Sequence, residues 1–525
     1  MNNQIIKIPP LFFEKASICY LIAPFLVFCL GFLKIYIGIP IVLICSISIW
    51  RLWKTKDLPT FINSSKKEIL VYVVICVVWV FLSGIGGWAF QNADFYARNA
   101  IFRDLINYDW PVFYSRLGGV NVPDSTYSLV YYFGFWLIPA LFGKLFGWIA
   151  ANIVLFIFAL MGVGFTGILL AKSIKTSIVN SIFLLIFFSG MDIVGAYFNQ
   201  RVWSSNYPTL WPPISHLEWW QTFQYSSFTT QLFWVFNQAI PTWLCTVIIV
   251  NQNNFRKTFL LWGLCLFYGP IPSLGLAVIV FAQILNRLLI RDSMGSVNIK
   301  EKGVIFFREI LSVENFIGAG LCLVMMLFFS ANASSSSIKF IHLPSLMILM
   351  IVIFSILEWL LFWIVVQRKR YEDIGWYFIG FVLILSLVIK IAETDNISFR
   401  ATIAPLFLLM IWVGQIFFHE RTRSRIAILL LLFFGAFTPM YEINRSIYRT
   451  VDYYVYPTEN LAQSVDICSN TPLKPAAFLD QPEKDHPGTL IADDRCTVSN
   501  FDLEYRGLYI ADTSKSIFFR YLARK

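Results

Sequence analysis

Long apolar runs recur along the whole chain and alternate with short polar loops. A helix needs about 20 mainly apolar residues to cross a bilayer, and about 13 runs approach that length. The pattern therefore predicts an all-α polytopic membrane bundle of about 13 transmembrane helices. The runs cover residues 17–34, 36–50, 69–87, 149–171, 178–197, 229–250, 257–270, 272–290, 315–331, 345–366, 374–391, 401–418 and 426–442.

One further apolar segment, SLVYYFGFWLIPALFGKLFG at 128–147, does not fit as a span. Counting it as one would place the later basic loops on the opposite side of the membrane from the earlier ones. Pro139 and Lys144 also interrupt it. We therefore predict a re-entrant or juxtamembrane helix at the outer face, which is allowed where protein buries the polar backbone.

Composition agrees with a membrane protein, because only 14% of the residues are charged and 58% are hydrophobic. Soluble domains are nearer to a quarter charged. The net charge of +10 does not indicate a nucleic-acid partner, since the basic residues collect in loops on one side of the predicted bundle. These loops lie at 51–67, 172–175, 256–257, 287–302, 368–370 and 421–425.

The positive-inside rule places these basic loops in the cytoplasm. The prediction is a multi-pass protein of a bacterial-type inner (plasma) membrane, with its N-terminus cytoplasmic and its C-terminus extracytoplasmic. Residues 1–442 would form the transmembrane bundle, with outer loops 88–128 and 198–228. Residues 443–525 would form a small extracytoplasmic α/β cap. There Cys468 and Cys496 either form a disulfide or remain free thiols.

The loop at 92–111, NADFYARNAIFRDLINYDWP, concentrates charge beside a predicted span. Charges next to a span are costly unless they serve an aqueous cavity, which suggests a functional site. A solvated loop with internal ion pairs is the alternative. The charged residues are Asp94, Arg98, Arg103, Asp104 and Asp109.

The second outer loop contains His216, Glu218, Trp219 and Trp220. Tryptophan faces beside polar groups are typical of sugar-binding platforms, although interfacial tryptophans also form lipid belts. The His-x-Glu pair favours a polar or acceptor-binding role over a metal site, because no further ligand follows it.

Arg400 lies at the outer end of a predicted span, where an unpaired guanidinium is costly. A bound anion would satisfy it, and an ion pair with Glu393 or Asp395 is the alternative. Together the outer loops offer a carboxylate base, phosphate-holding arginines and sugar-binding aromatics. These groups suit transfer of a sugar from a polyprenyl-phosphate donor to a glycan or lipid-linked acceptor, with inversion.

The stretch ADFYARNAIFRDLINYDWP resembles the first outer loop of the GT-C superfamily of membrane glycosyltransferases. In that family the loop opens with a catalytic acidic residue and ends near Asp-Trp-Pro, here Asp109-Trp110-Pro111. The segment 128–147 is similar to the juxtamembrane Pro…Gly-Lys-Leu stretch that follows. Phe95 stands where many members have Glu, so only one acidic residue remains at the motif. The resemblance therefore favours a mechanism without a cofactor, and a divalent cation is the less favoured alternative.

The resemblance and the loop chemistry together imply a role for each residue. Asp94 is the predicted general base, and Arg98, Arg103 and Arg400 are predicted to hold the donor phosphate. Asp104 is expected to structure the loop. The predicted sugar- and acceptor-binding residues are Asp109, Trp110, His216, Glu218 and Trp219.

Three other functions fit parts of the pattern. A lipid-linked glycan transporter would need ionisable residues within the spans, where Asp192 and Glu358 are the main candidates. An O-antigen polymerase or ligase would share the outer arginines, but its largest loop would lie between late spans. A non-enzymatic assembly subunit is the third alternative.

Overall fold

The computed structural model describes residues 5–54, 60–202, 216–220, 223–289, 299–335, 338–340, 344–391, 397–455, 497–501 and 506–524. Its helices are α1 Pro10–Phe32, α2 Ile35–Lys54, α3 Lys66–Leu82, α4 Phe95–Asn107, α5 Leu137–Ile174, α6 Ile178–Phe187, α7 Asp192–Val202, α8 Phe228–Asn251, α9 Thr258–Tyr268, α10 Pro270–Leu289, α11 Ile299–Ile310, α12 Val313–Phe329, α13 Ser345–Ser355, α14 Leu361–Arg370, α15 Ile374–Leu385, α16 Ile397–Ala401, α17 Ile403–His419, α18 Arg423–Gly435 and α19 Phe437–Val455. The short strands are β1 Ile5–Ile8, β2 Ile62–Ser65, β3 Phe113–Tyr114, β4 Arg116–Leu117, β5 Val120–Asn121, β6 Tyr127–Leu129, β7 Ile338–Phe340, β8 Ile389–Ile391 and β9 Ile510–Asp512.

The described residues form a helical membrane bundle. They contain nine helical segments long and apolar enough to cross a membrane, and three shorter apolar helices. α8 is at its centre, with nearly all of its side chains buried, whereas α2 turns many apolar side chains outward. The predicted all-α membrane bundle is thus confirmed as a class, while the count of about 13 spans stays a prediction.

The segment 128–147 is a strand, a turn and a short helix rather than one continuous helix. β6 ends at Leu129, and α5 begins at Leu137 and bends at Gly147, whose φ of +83° is left-handed. Glycine adopts this conformation without the steric cost that a Cβ would add. The part of α5 before the bend exposes Phe146 at 69%. A short apolar helix therefore precedes the long one.

At one end of the bundle, loops from distant parts of the sequence meet. β1 pairs with β2 in antiparallel fashion. The Glu14 carboxylate contacts Lys257 Nζ at 3.1 Å and Lys172 Nζ at 3.6 Å. These lysines come from two of the predicted cytoplasmic loops, so the structure does gather those loops at one end. That this end faces the cytoplasm stays a prediction.

At the opposite end, the described C-terminal residues join the first outer loop. β3, β6 and β9 form an antiparallel sheet in which Leu129 pairs with Ile510. Arg524 N donates to Phe32 O at 2.9 Å. α19 also runs through the predicted domain boundary at residue 442 and ends at Val455. Cys468 and Cys496 lie outside the described residues, so their pairing stays a prediction.

Two helices are interrupted where they face each other. The chain breaks between α6 and α7, at residues 188–191, and a π turn at Ile356–Leu360 joins α13 to α14. Met191 N donates to Leu357 O at 3.0 Å across the two interruptions. A π turn frees a backbone carbonyl from the regular ladder, and such turns often mark functional positions.

Candidate functional site

The segment leading to Asp94 is held by two distant helices. Phe90 N donates to Thr450 Oγ1 of α19 at 2.9 Å. Asn92 Nδ2 donates to Phe233 O of α8 at 2.9 Å, and the Asn92 side-chain oxygen accepts from Asp94 N at 3.1 Å. These bonds fix the backbone at the start of α4. The position of Asp94 is therefore set by the bundle as well as by its own loop.

Asp94 and Arg98 form an ion pair one helical turn apart. Arg98 Nη2 lies 2.7 Å from Asp94 Oδ2, with the Asp94 side chain 43% exposed and that of Arg98 only 7%. The guanidinium lies 5.4 Å and 5.5 Å from the ring centres of Phe95 and Phe236. Its Nη1 is buried without a hydrogen-bond partner. A buried cation thus lies beneath an accessible carboxylate and keeps an unused donor.

Arg400 approaches the same carboxylate from α16. Its Nη1 donates to the Tyr132 hydroxyl at 3.1 Å, and no described residue accepts from its buried Nε. It lies close enough to Asp94 for the two charges to interact. The alternative partners Glu393 and Asp395 lie outside the described residues. Residues 94, 98 and 400 are therefore brought together although Arg400 follows Arg98 by about 300 positions in the sequence.

Arg103 and Asp104 face other parts of the protein. Arg103 is five residues after Arg98, which turns it about 140° around α4. Its guanidinium lies 4.3 Å from the Trp148 ring centre, and burial lowers its pKa to about 10. Asp104 accepts from the Tyr114 hydroxyl at 2.6 Å and from Val498 N at 3.0 Å. Arg103 therefore points to Trp148 and, unlike Arg98, does not contact Asp94. Asp104 holds the described C-terminal residues through Val498.

Trp110 is packed into the end of the bundle. Its Nε1 donates to Leu105 O at 2.8 Å, and its ring stacks on Phe32 with 5.7 Å between ring centres. Lys144 Nζ lies 5.3 Å from the Trp110 ring centre, and Asp109 is exposed. One face and the N–H of the indole are thus occupied by protein. The predicted sugar or acceptor contact of Asp109 and Trp110 stays a prediction.

A second cluster surrounds His216. Nδ1 lies 2.5 Å from Glu442 Oε1 and Nε2 lies 3.0 Å from Glu218 Oε1. Burial lowers the pKa of His216, but Glu442 and Glu218 outweigh this effect and raise the pKa to about 10. The imidazole is therefore cationic at neutral pH, with each ring nitrogen donating to a carboxylate. His216 bridges the second outer loop to α19 and is not a free base.

Arg445 and Arg449 were not among the predicted site residues, because the sequence interpretation ended the bundle at residue 442. Arg445 Nη2 lies 2.9 Å from Glu442 Oε2. Its guanidinium is 5.6 Å from the Phe90 ring centre and that of Arg449 is 5.8 Å from the same ring. Arg445 follows Glu442 by three residues and Arg449 follows Arg445 by four, so all three lie on one helix face. This spacing was the available signal.

Trp219 is fully buried. Its Nε1 donates to Glu358 Oε1 at 2.8 Å, and its ring lies against Trp220 and Phe354. It therefore connects the second outer loop to the π turn between α13 and α14. The role in sugar or acceptor binding predicted for His216, Glu218 and Trp219 stays a prediction.

Within the part of the chain that the structure describes, no three His, Cys, Asp or Glu side chains are grouped so that they could hold a metal ion. Comparison of the chain with models of protein families, with curated proteins and with solved structures found no match. Function must therefore be inferred from the chemistry of the two clusters.

Proposed function

We propose that this protein is a membrane glycosyltransferase of the GT-C type. It would transfer a sugar from a polyprenyl-phosphate donor to a glycan or lipid-linked acceptor at the outer face, with inversion at the anomeric carbon. The observation that supports this most is the accessible Asp94 carboxylate beside the buried Arg98 and the half-buried Arg400, each with a buried N–H that no described residue accepts.

Asp94 has the properties that a general base requires. An acceptor hydroxyl must lose a proton as it attacks the sugar, and a positioned carboxylate within hydrogen-bond reach can accept that proton. The Asp94 side chain is 43% exposed, so an acceptor can approach it. Its contact with Arg98 at 2.7 Å fixes the orientation of the carboxylate.

Arg98 and Arg400 are suited to the leaving phosphate. Charge develops on the phosphate as the glycosidic bond breaks, and charge-assisted hydrogen bonds from guanidiniums stabilise it. A buried N–H without a partner costs about 1–3 kcal/mol, which a bound phosphate oxygen would relieve. Arg98 Nη1 and Arg400 Nε are such donors.

The short apolar helix before Gly147 suits the lipid part of the donor. It exposes Leu145 and Phe146 and lies next to the loop that contains Asp94. Lys144 Nζ donates to Tyr108 O at 2.5 Å, which joins this helix to the end of that loop. A polyprenyl chain in the bilayer could therefore reach the loop along this helix.

The decisive experiment compares Asp94→Asn with Asp124→Asn, an exposed carboxylate of the same loop. Each variant is expressed at matched membrane level in a strain of the native host that lacks the gene, and surface glycans and glycolipids are profiled. Asparagine keeps the shape of aspartate but cannot take a proton, so transfer should fall by about 10²–10⁴-fold in Asp94→Asn. Asp124→Asn should restore the wild-type profile.

Full restoration by Asp94→Asn would show that Asp94 is a loop ion-pair residue and would remove the proposed base. Loss of the sugar in both variants would show that the loop is sensitive to any lost charge. That result would also count against a specific role for Asp94.

A lipid-linked glycan transporter is the second candidate, and one observation favours it. Asp192 and Glu358 are buried together within two candidate spans, where ionisable side chains often mark transport pathways. A transporter would tolerate Asp94→Asn but lose function when this buried pair is changed. The two sets of variants therefore separate the candidates.

A further inference from the structure

Asp192 and Glu358 meet inside the bundle, away from Asp94. Each is 3% exposed. Glu358 stands midway along the candidate span Ser345–Arg370, and Asp192 lies within the candidate span Ile178–Phe198. Neither carboxyl has a role in the proposed transfer reaction.

Irregular backbone at both residues allows the Asp192 and Glu358 carboxyls to come close together. Glu358 lies in the π turn, and Asp192 begins α7 directly after the break at 188–191. Gly190 lies against Glu358, and a Cβ at that position would overlap Glu358 Oε2. The fold thus leaves out a side chain where the Glu358 carboxyl sits.

One carboxyl oxygen of the pair receives no hydrogen bond from the part of the chain that the structure describes. Trp219 Nε1 donates to Glu358 Oε1 at 2.8 Å, and Thr438 Oγ1 donates to Asp192 Oδ2 at 2.9 Å. Glu358 Oε2 is buried without a donor, although the Asp192 carboxyl is within hydrogen-bonding range. Two carboxylate oxygens can form a hydrogen bond only when a hydrogen lies between them.

The surrounding charges make a second negative charge on the pair costly. Among the described residues, the charged or titratable groups that act on Asp192 or Glu358 are Glu218, His216 and Tyr225. Glu218 adds a third carboxyl beside the pair, and no described residue donates to its buried Oε2. His216 is cationic, but Glu218 and Glu442 share it. A buried carboxylate without a compensating cation is unfavourable and is expected to take up a proton.

We propose that Asp192 and Glu358 form a proton-binding site in which one proton is shared between a carboxyl and a carboxylate. The proton supplies the missing donor to Glu358 Oε2 and removes one negative charge from the cluster. The site lies beside Trp219 and Glu218 of the second outer loop. It does not depend on the proposed transfer reaction.

The test uses Glu358→Gln in the full chain, purified in detergent at pH 7. Glutamine keeps an oxygen for Trp219 Nε1 and provides an N–H for Asp192, so it imitates the protonated glutamic acid. The thermal unfolding midpoint should therefore stay at the wild-type value. Glu442→Gln is the matched comparison, because Glu442 contacts His216 and Arg445 as an ion, and its loss should lower the midpoint.

Infrared spectroscopy tests the proton directly. The wild-type protein should show the C=O stretch of a protonated carboxyl that shifts in D₂O, and subtraction of the Glu358→Gln spectrum should isolate it. The subtraction cancels Asp104 and every other carboxyl common to both proteins.

Two results would overturn the proposal. One is an unchanged carboxyl band together with a lowered midpoint in Glu358→Gln, which would mean that both groups are ionised. The other is a wild-type midpoint that rises with Na⁺ at constant ionic strength but does not rise in Glu358→Gln, which would assign the site to a metal ion. Neither result bears on Asp94, so this site and the proposed transferase can fail separately.

Discussion

At the scale of single residues, burial decides which charged groups a substrate can reach and which only stabilise the structure. Asp94 is accessible, whereas Asp104, ten positions later on the same helix, is buried and accepts hydrogen bonds from Tyr114 and Val498. Both are aspartates in one charged loop, yet their surroundings give them different chemistry. Burial raises the pKa of Asp104 to about 7, despite the hydrogen bonds, which lower it.

This shift predicts a pH dependence of stability. The folded protein holds the Asp104 proton up to about pH 7, while the unfolded chain releases it near its ordinary value of 3.8. The folded state therefore binds more protons between these pH values, and the free energy of unfolding should fall as pH rises from about 4 to 7. One pKa unit corresponds to about 1.4 kcal/mol, so the fall is at most about 4 kcal/mol.

Thermal unfolding in detergent at pH 5 and pH 8 measures this change, with Asp104→Asn as the variant and Asp124→Asn as the control. Asp104→Asn should flatten the pH dependence of the midpoint, and Asp124→Asn should keep it. An equal slope in wild type and Asp104→Asn would assign the dependence to other groups.

At the scale of elements, the apolar runs predicted most helices because a span needs only length and apolarity, which are local properties. The Asp94–Arg98 pair was also foreseeable, since residues four apart share a helix face. The pairing of Asp192 with Glu358 was not. It depends on a break between α6 and α7 meeting a π turn in a helix far along the chain, and no local pattern announces such a contact.

Gly190→Ala tests this meeting of elements. The added methyl would overlap Glu358 Oε2, so the π turn or the break must shift and stability should fall by about 1–3 kcal/mol, as for an overpacked core. Gly164→Ala is the control, because a Cβ on Gly164 would meet no atom within 4 Å in α5. That substitution should be neutral or stabilising by roughly 0.5–1 kcal/mol.

The thermal unfolding midpoints of the two alanine variants give the comparison. Equal midpoints would mean that the close packing of Gly190 on Glu358 contributes nothing to stability.

At the scale of the whole molecule, the last described residues of the chain share one end of the bundle with the C-terminal part of α1. The Phe518 ring lies 6.2 Å from that of Phe28 in α1 and 5.1 Å from that of Phe328 in α12. The sequence predicted a small cap after residue 442, because polar residues and prolines follow there. The described residues 506–524 pack against the bundle, where their aromatic side chains fill the space between α1 and α12. The cap itself stays a prediction.

Phe518→Ala should destabilise the protein by about 3–5 kcal/mol, as is usual when a buried phenylalanine is truncated. Phe518 is 0% exposed, whereas its neighbour Ile517 is 57% exposed, so Ile517→Ala is a matched control and should change little. Limited proteolysis of the loop at 113–129 measures the effect, because β9 would no longer be held against β6. Equal cleavage in both variants would contradict this packing.

The pairing of β9 with β6 also constrains biosynthesis. Ile510 is translated long after Leu129, and helices α5 to α19 leave the ribosome between these two strands. The sheet beside α4 can therefore close only after those helices have been inserted and residues 506–524 have reached the same side of the membrane. A chain arrested before that point would carry Asp94 and Arg98 but lack the strand and the Val498 contact that secure their loop. The loop that contains Asp94 and Arg98 can therefore be fully secured only after translation of the C-terminal residues is complete.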